Sequence, residues 1–237
     1  DFLSKERLPL EIREKSKRTF YTVTPIYYQH ICYGYCVSDG SLFALKSELS
    51  YLWTVNIGMA LENIRKWQWI NRMNEKINRM WKYDMLTQVL NRSGFFYCAE
   101  TILQKIKEEK SNAFIIFLDI DGLKSVNDNL GHEIGDAFIA KIAGILKEVV
   151  PKDCLIMRYG GDEFVVFGSC KQAGRMQRIA EDIKAAIKTA DQKENRSYHL
   201  AASLGCSLHK SYEMDNLNSL IELADKKMYE EKKNKRR

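Results

Sequence analysis

The chain of 237 residues is 45% hydrophobic and 29% charged, an ordinary globular balance with room for one large domain or one domain plus an appendage. Three prolines and 13 glycines exclude a collagen-like or low-complexity polymer, and no apolar run approaches the roughly 20 residues of a membrane helix. The net charge of +6 is uneven: residues 1–83 hold 13 Lys+Arg and 8 Asp+Glu, residues 84–221 hold 17 and 19, and residues 222–237 hold 7 and 4. A slightly acidic middle gives no argument for a nucleic-acid partner, which needs positive charge gathered on one surface.

The chain starts at Asp1, without Met or signal-peptide character, and is expected to be a piece of a longer protein. Residues 19–38 (TFYTVTPIYYQHICYGYCVS) contain two strand-like runs followed by a turn signal at Ser38-Asp39-Gly40. Some forty residues cannot bury a full core, so residues 1–46 resemble the truncated trailing part of a sensory domain of GAF type. Six cysteines (32, 36, 98, 154, 170, 206) form no Cys-x-x-Cys pair and have no His cluster beside them. Reduced, mostly buried thiols in a cytoplasmic protein are expected, not zinc ligands or disulfides.

Residues 47–83 read as a signalling helix. Ile57, Ala60, Ile64 and Trp67 step by 3, 4, 3; Ile70, Met73, Ile77 and Met80 repeat those steps, and a step of 3 joins the two series where 4 would keep the heptad. The pattern predicts a parallel coiled coil between two copies of the chain with one phase irregularity, or else an amphipathic helix packed on its own domain. Inserting four residues between Trp67 and Ile70 is expected to change activity sharply if the helix is regulatory.

Residues 84–237 alternate between periods. Ala113–Leu118 (AFIIFL) is a buried strand, and Ala137–Val150 a helix stopped by Pro151. Leu155–Tyr159 and Glu163–Gly168 flank Gly160-Gly161 as a two-residue hairpin. Gly174–Lys188 is a helix, His199–His209 a strand and Asn216–Lys233 a closing amphipathic helix. The order is that of a βαββαβ sheet backed by helices, an α/β (α+β) class of palm-like architecture.

Acidic groups stand at two predicted strand ends: Asp119 and Asp121 after AFIIFL, Asp162 and Glu163 after the glycine pair. If those strands are neighbours, the carboxylates converge, and a divalent cation is the natural remedy for their repulsion. Asp-x-Asp alone is a weak signal, commonly solvated turn residues; joined to a Gly-Gly-Asp-Glu hairpin it becomes a strong one. Adjacent strand residues face opposite sides, so the sequence does not place both hairpin acids.

Arg158–Phe164 (RYGGDEF) resembles the signature hairpin of the GGDEF family of diguanylate cyclases. Asp84–Arg92 (DMLTQVLNR), Asp119–Asp136 (DIDGLKSVNDNLGHEIGD), Ser203-Leu204-Gly205 and Ala224–Arg236 (ADKKMYEEKKNKR) resemble its other motifs in order. The resemblance implies a nucleotidyl-cyclase fold and the condensation of two GTP into cyclic di-GMP with release of two pyrophosphates. It implies two Mg2+ (or Mn2+) per site on Asp119, the Ile120 carbonyl, Asp162 and Glu163, with Asp162 and Glu163 assisting the attacking 3′-hydroxyl.

Asn127 and Asp136 match guanine-reading positions; a carboxylate accepts from guanine N1–H and N2–H2, which adenine lacks. His132 either lines the pocket or makes a structural hydrogen bond at a helix start. Lys124, Lys232 and Arg236 match triphosphate clamps, the last two competing with a plainly solvated basic helix end. Gly160 and Gly161 let phosphates approach the backbone. The resemblance further implies a GTP-bound homodimer held by the 47–83 helix, with a catalytically silent GTP-binding module as the alternative. Pro151-Lys152-Asp153-Cys154 departs from the Arg-x-x-Asp of a product-inhibition site, Leu123 replaces a Phe, and Lys235 stands where the family has Gly.

Overall fold

The computed structural model describes residues 21–39, 48–193, 198–210 and 217–235. Gly40 of the first turn signal, Asn216 at the expected start of the closing helix, and Arg236 lie outside the described residues. The chain divides into two compact units, Asp1–Glu75 and Lys76–Arg237.

In the first unit β1 (Tyr21–Tyr28) and β2 (Ile31–Asp39) form an antiparallel hairpin turning at Gln29-His30, with Gln29 at φ 54. Ile26 pairs with Gly34 but Tyr27 pairs with Cys32, so Tyr33 is the extra residue of a bulge. A bulge re-aims a side chain, and here the Tyr33 hydroxyl donates to the Glu62 carboxylate. Glu62 lies on helix α1 (Glu48–Lys82), buried, and its bonds from Arg65 (2.8 and 2.9 Å) and Tyr33 hold its carboxyl down to about 2. This charge-assisted cluster fastens the hairpin to the helix.

Helix α1 runs 35 residues, roughly 50 Å at 1.5 Å per residue. Its repeat residues Ile57, Ile64, Trp67, Ile70, Met73, Ile77 and Met80 are all exposed, Trp67 at 65% and Ile77 at 60%. Among the described residues this seam is exposed, while the buried Glu62 and the close approach of Gly58 to Tyr27 pack the helix on the hairpin of its own unit.

The second unit holds α2 (Arg92–Glu108), β3 (Asn112–Ile120), α3 (Leu123–Leu130), α4 (His132–Val149), β4 (Leu155–Arg158), β5 (Glu163–Cys170), α5 (Arg175–Lys193), β6 (Ala202–His209) and α6 (Leu217–Lys235). The sheet order is β4-β5-β3-β6 with every neighbour antiparallel. This is the expected βαββαβ arrangement, its first crossover built of two helices. Phe114, Ile116, Leu118 and Ile120 of β3 pack with Phe138 and Ile142 of α4 and Ile183 of α5. Ala113, Ile115 and Phe117 pack on the other face with Phe95 and Ile106 of α2 and Leu220 and Ala224 of α6. Burial on both faces explains why β3 reads as an unbroken apolar run although its neighbours are antiparallel. Each such Phe or Ile contributes about 1.5–3 kcal/mol.

Both sheet edges are capped. On β4 the Ile156 carbonyl accepts from Leu90 N (3.0 Å) and the Arg158 amide donates to Leu90 O (2.9 Å). On β6 the Leu204 amide donates to Glu231 (3.5 Å) and the Cys206 carbonyl accepts from Lys227 (3.1 Å), both from α6. Capping in this way removes unpaired backbone groups that invite strand addition.

Several expectations need correction. The hairpin loop spans 159–162, four residues rather than two, and neither Gly160 nor Gly161 has positive φ. The tight-turn reason for those glycines therefore does not hold. Helix α2 was not anticipated, α5 continues to Lys193, and β6 begins at Ala202 rather than His199. All six cysteines are free, but only Cys154 and Cys170 are buried, because Cys32 and Cys36 sit on the exposed hairpin.

Candidate functional site

The segment between α1 and α2 is folded back on itself. Asp84 accepts from the Thr87 amide (2.9 Å) and hydroxyl (2.6 Å), while Asn91 caps α2 through Gly94 N (2.9 Å) and donates to Trp81 O (2.9 Å). Such a cap contributes about 1 kcal/mol. Arg158 reaches both oxygens of Asp84 through Nη1 (3.1 and 3.2 Å) and donates Nε and Nη2 to the Gly161 carbonyl (3.2 and 2.7 Å). Burial pushes the Asp84 carboxyl up, but the Thr87 and Arg158 bonds outweigh it and hold it below its ordinary value. One guanidinium thus joins the first residues after α1 to the loop that carries Gly160, Gly161 and Asp162.

The strand register brings the acids together. Asp119, near the end of β3, pairs with Glu163, the first residue of β5, while Ile120 N donates to Asp162 O (3.0 Å). By alternation Asp119 and Glu163 share the face covered by α6. There Lys232 pairs with the Asp119 carboxylate, and Asp225, two helical turns earlier, lies on the same side of the helix. Asp119 is only 8% exposed. Burial raises its carboxyl despite Lys232, and Asp162 and Asp121 add to the rise. Burial also raises Glu163, with Asp162, Asp119 and Asp225 adding to it and Lys232 opposing. Asp121 accepts from the Ser203 hydroxyl at 2.8 Å.

Gly160 has a different reason from the expected turn: a Cβ there would lie 2.5 Å from Glu163 Oε2, so the missing side chain makes room for that carboxylate. Gly161 is exposed, with open space where its Cβ would be. Gly131, at φ 88, ends α3 and starts α4, a positive-φ backbone that glycine adopts freely. The turn stacks Asn127 against Gly135, next to Asp136. Asp136 is exposed on α4, His132 is the exposed first residue of that helix, and Lys124 is exposed in the first turn of α3. The stretch at 151–154 is closed by its own ion pair, Asp153 to Arg175 Nη2 at 2.6 and 2.7 Å.

Two participants escaped the sequence reading. Arg158 stands inside RYGGDEF as the last residue of β4, and its place beside the loop is the available signal. Asp225 lies in the closing-helix motif seven residues before Lys232, a same-face spacing.

Among the described residues no three His, Cys, Asp or Glu side chains stand close enough to enclose a metal ion unaided. The donor set nevertheless suits Mg2+. Its oxygens are hard, negative charge exceeds the one ammonium provided, and Mg2+ is ordinarily held by one or two carboxylates with substrate phosphates completing its shell.

Residues 81–237, more than half of the chain, match the family model for the diguanylate cyclase GGDEF domain. Diguanylate cyclase A of Treponema denticola is 29% identical over 199 residues, 82% of this chain and 53% of that protein. Diguanylate cyclase VdcA of Vibrio cholerae is 32% identical over 168 residues, 69% of this chain and 48% of that protein. The chain therefore spans about half the length of these curated relatives. The coiled coil and GGDEF domain of DgcB from Caulobacter crescentus, solved with c-di-GMP, superposes with a TM-score of 0.66 at 23% identity, over 74% of this chain and 93% of that one, a likeness of fold. With its hairpin acids opposite Asp119 in a β4-β5-β3-β6 sheet, the chain belongs to the GGDEF family.

Proposed function

We propose that the chain is a diguanylate cyclase that condenses two GTP into cyclic di-GMP and two pyrophosphates. The observation that carries the reading is the Asp119–Glu163 register with Asp162 directly before it, an acidic cluster that Lys232 alone does not balance. The named relatives share that activity in their descriptions.

Each domain would hold one GTP. Asn127 and Asp136 read its guanine, His132 lines the base pocket, and Lys124, Lys232 and Arg236 hold the triphosphate. Gly160 and Gly161 keep the loop backbone open to the phosphates. The 3′-hydroxyl oxygen of one GTP forms a bond to the α-phosphorus of the other, and the bond to the β-phosphate oxygen breaks. The hydroxyl proton passes to Asp162 or Glu163, and repetition in the other direction closes the ring. Asp119, the Ile120 carbonyl, Asp162 and Glu163 would hold two Mg2+ or Mn2+; when bound, these supply charge that acidifies the hydroxyl and stabilises the phosphoryl transition state.

Two facing domains are required, so proximity controls the rate. The uncovered seam of α1 supports a homodimer through residues 47–83, following a sensor remnant (1–46) and preceding the catalytic domain (84–237). A GTP-consuming unit belongs in the cytoplasm; among the described residues no helix is long and apolar enough to cross a membrane. The Asp153–Arg175 pair supports the absence of product inhibition through 151–154.

Incubation with GTP and Mg2+ across protein concentration tests the reading. Cyclic di-GMP is expected, with specific activity rising with concentration, GTP outcompeting ATP, and no product from Asp162→Ala. GTP binding without product would leave the silent GTP-binding module instead.

A further inference from the structure

Helix α4 has two interior glycines in opposite circumstances. A Cβ on Gly144 would meet nothing within 4 Å, whereas one on Gly135, which is buried, would lie 1.8 Å from Asn127 Oδ1 and 2.9 Å from its Cγ. All three of the nearest atoms to that position belong to the Asn127 side chain, the third being Nδ2 at 3.5 Å. Glycine inside a helix is less stable than alanine. At 135 the Asn127 amide occupies the space that alanine would take.

We propose that Gly135 is a specificity-positioning residue: the bare Cα holds open the one orientation from which the Asn127 amide meets the guanine of GTP. The inference rests on the reading of Asn127 as a guanine contact. Asn127 sits in the last turn of α3, and the Gly131 turn brings α4 back across it. Its amide has a flexible χ1 and χ2, so a methyl group at 135 would be accommodated by rotating the amide away, with the backbones undisturbed. The damage would fall on recognition and leave the fold intact.

The test is binding of α,β-methylene GTP, which is not cleaved at the α-phosphate, by titration calorimetry together with a thermal melt. Gly135→Ala should bind about tenfold more weakly, the loss of one base contact, and melt no lower than wild type. Gly144→Ala should bind as wild type does. On an Asn127→Ala background, Gly135→Ala should cost nothing further, because the atoms it collides with are gone.

Wild-type affinity in Gly135→Ala, or losses that add in the double variant, would overturn the proposal while leaving Asn127 as a contact. Wild-type affinity in Asn127→Ala would remove the contact itself and the proposal with it. Should Gly135→Ala fail to fold alone, the double variant is expected to fold, and a double variant equally unstable would equally defeat the idea.

Discussion

The β4–β5 hairpin is acidic at both ends, and its two ends treat that charge oppositely. At the open end Asp153 has its own guanidinium, Arg175, whose two short bonds pull the carboxyl below its ordinary value. Arg175 also donates to the Ser169 carbonyl at 2.9 Å, so the pair ties helix α5 to the strand end. At the loop end Lys232 pairs with Asp119 and also draws on Glu163, yet with Asp162 nearby both Asp119 and Glu163 are raised. A balanced pair closes a structure. An unbalanced cluster costs stability and persists where an incoming charge completes it.

Removing acids should separate the ends. Asp162→Ala is expected to abolish cyclic di-GMP synthesis, a loss of at least about 10³-fold, without lowering the melting temperature. Unfolding instead would make the loop end structural like the other. Glu163→Gln relieves crowding in the cluster, so it should also cut turnover while raising the melting temperature slightly.

Beside the acids at the loop end stands Arg158. Its loss to alanine leaves the Gly161 carbonyl and Asp84 without their shared donor, expected to cost about 2 kcal/mol in urea unfolding. Lysine there restores the charge but not the fork, so it should recover only part of that stability. Arg158→Ala should also slow turnover, since the loop beside Asp162 loses its anchor.

At the open end Asp153→Asn should cost only about 0.5–1 kcal/mol, because Asp153 is largely exposed. Cyclase activity should be unchanged; a matching fall in activity would blur the contrast. The smallest effect concerns pH. Asp84 and Asp153 have folded-state carboxyls held below their unfolded values, so their contribution is full above about pH 4. It is lost as pH falls through the lowered folded values. Asp84→Asn should flatten the acid limb of a denaturation series run downward from pH 6; an unaltered limb would show that Thr87 and Arg158 do not stabilise the ionised form.

The acid cluster was legible in sequence because an apolar strand and a Gly-Gly hairpin each end in carboxylates, and pairing the two strands brings them side by side. The choice between Asp162 and Glu163 as the cross-strand partner of Asp119 was not legible, since it depends on whether the loop holds two or four residues. Helix α2 has a sequence signal: Asn91 precedes Phe95, Ala99, Ile102 and Ile106 at helical spacing. Arg158 bridging Asp84 and Gly161, and Lys232 on Asp119, join positions 74 and 113 residues apart, beyond any local pattern.

The two α6 side chains on the rim of β6 have a consequence for how copies of this molecule meet. With Leu204 N and Cys206 O already taken by Glu231 and Lys227, two of the backbone groups that a neighbouring strand would need there are occupied. Strand addition at this rim would have to displace both side chains first, which works against a fibre-prone shared sheet. On the proposed cyclase reading, in which product forms only when two half-sites meet, that leaves association to contacts that can be made and released.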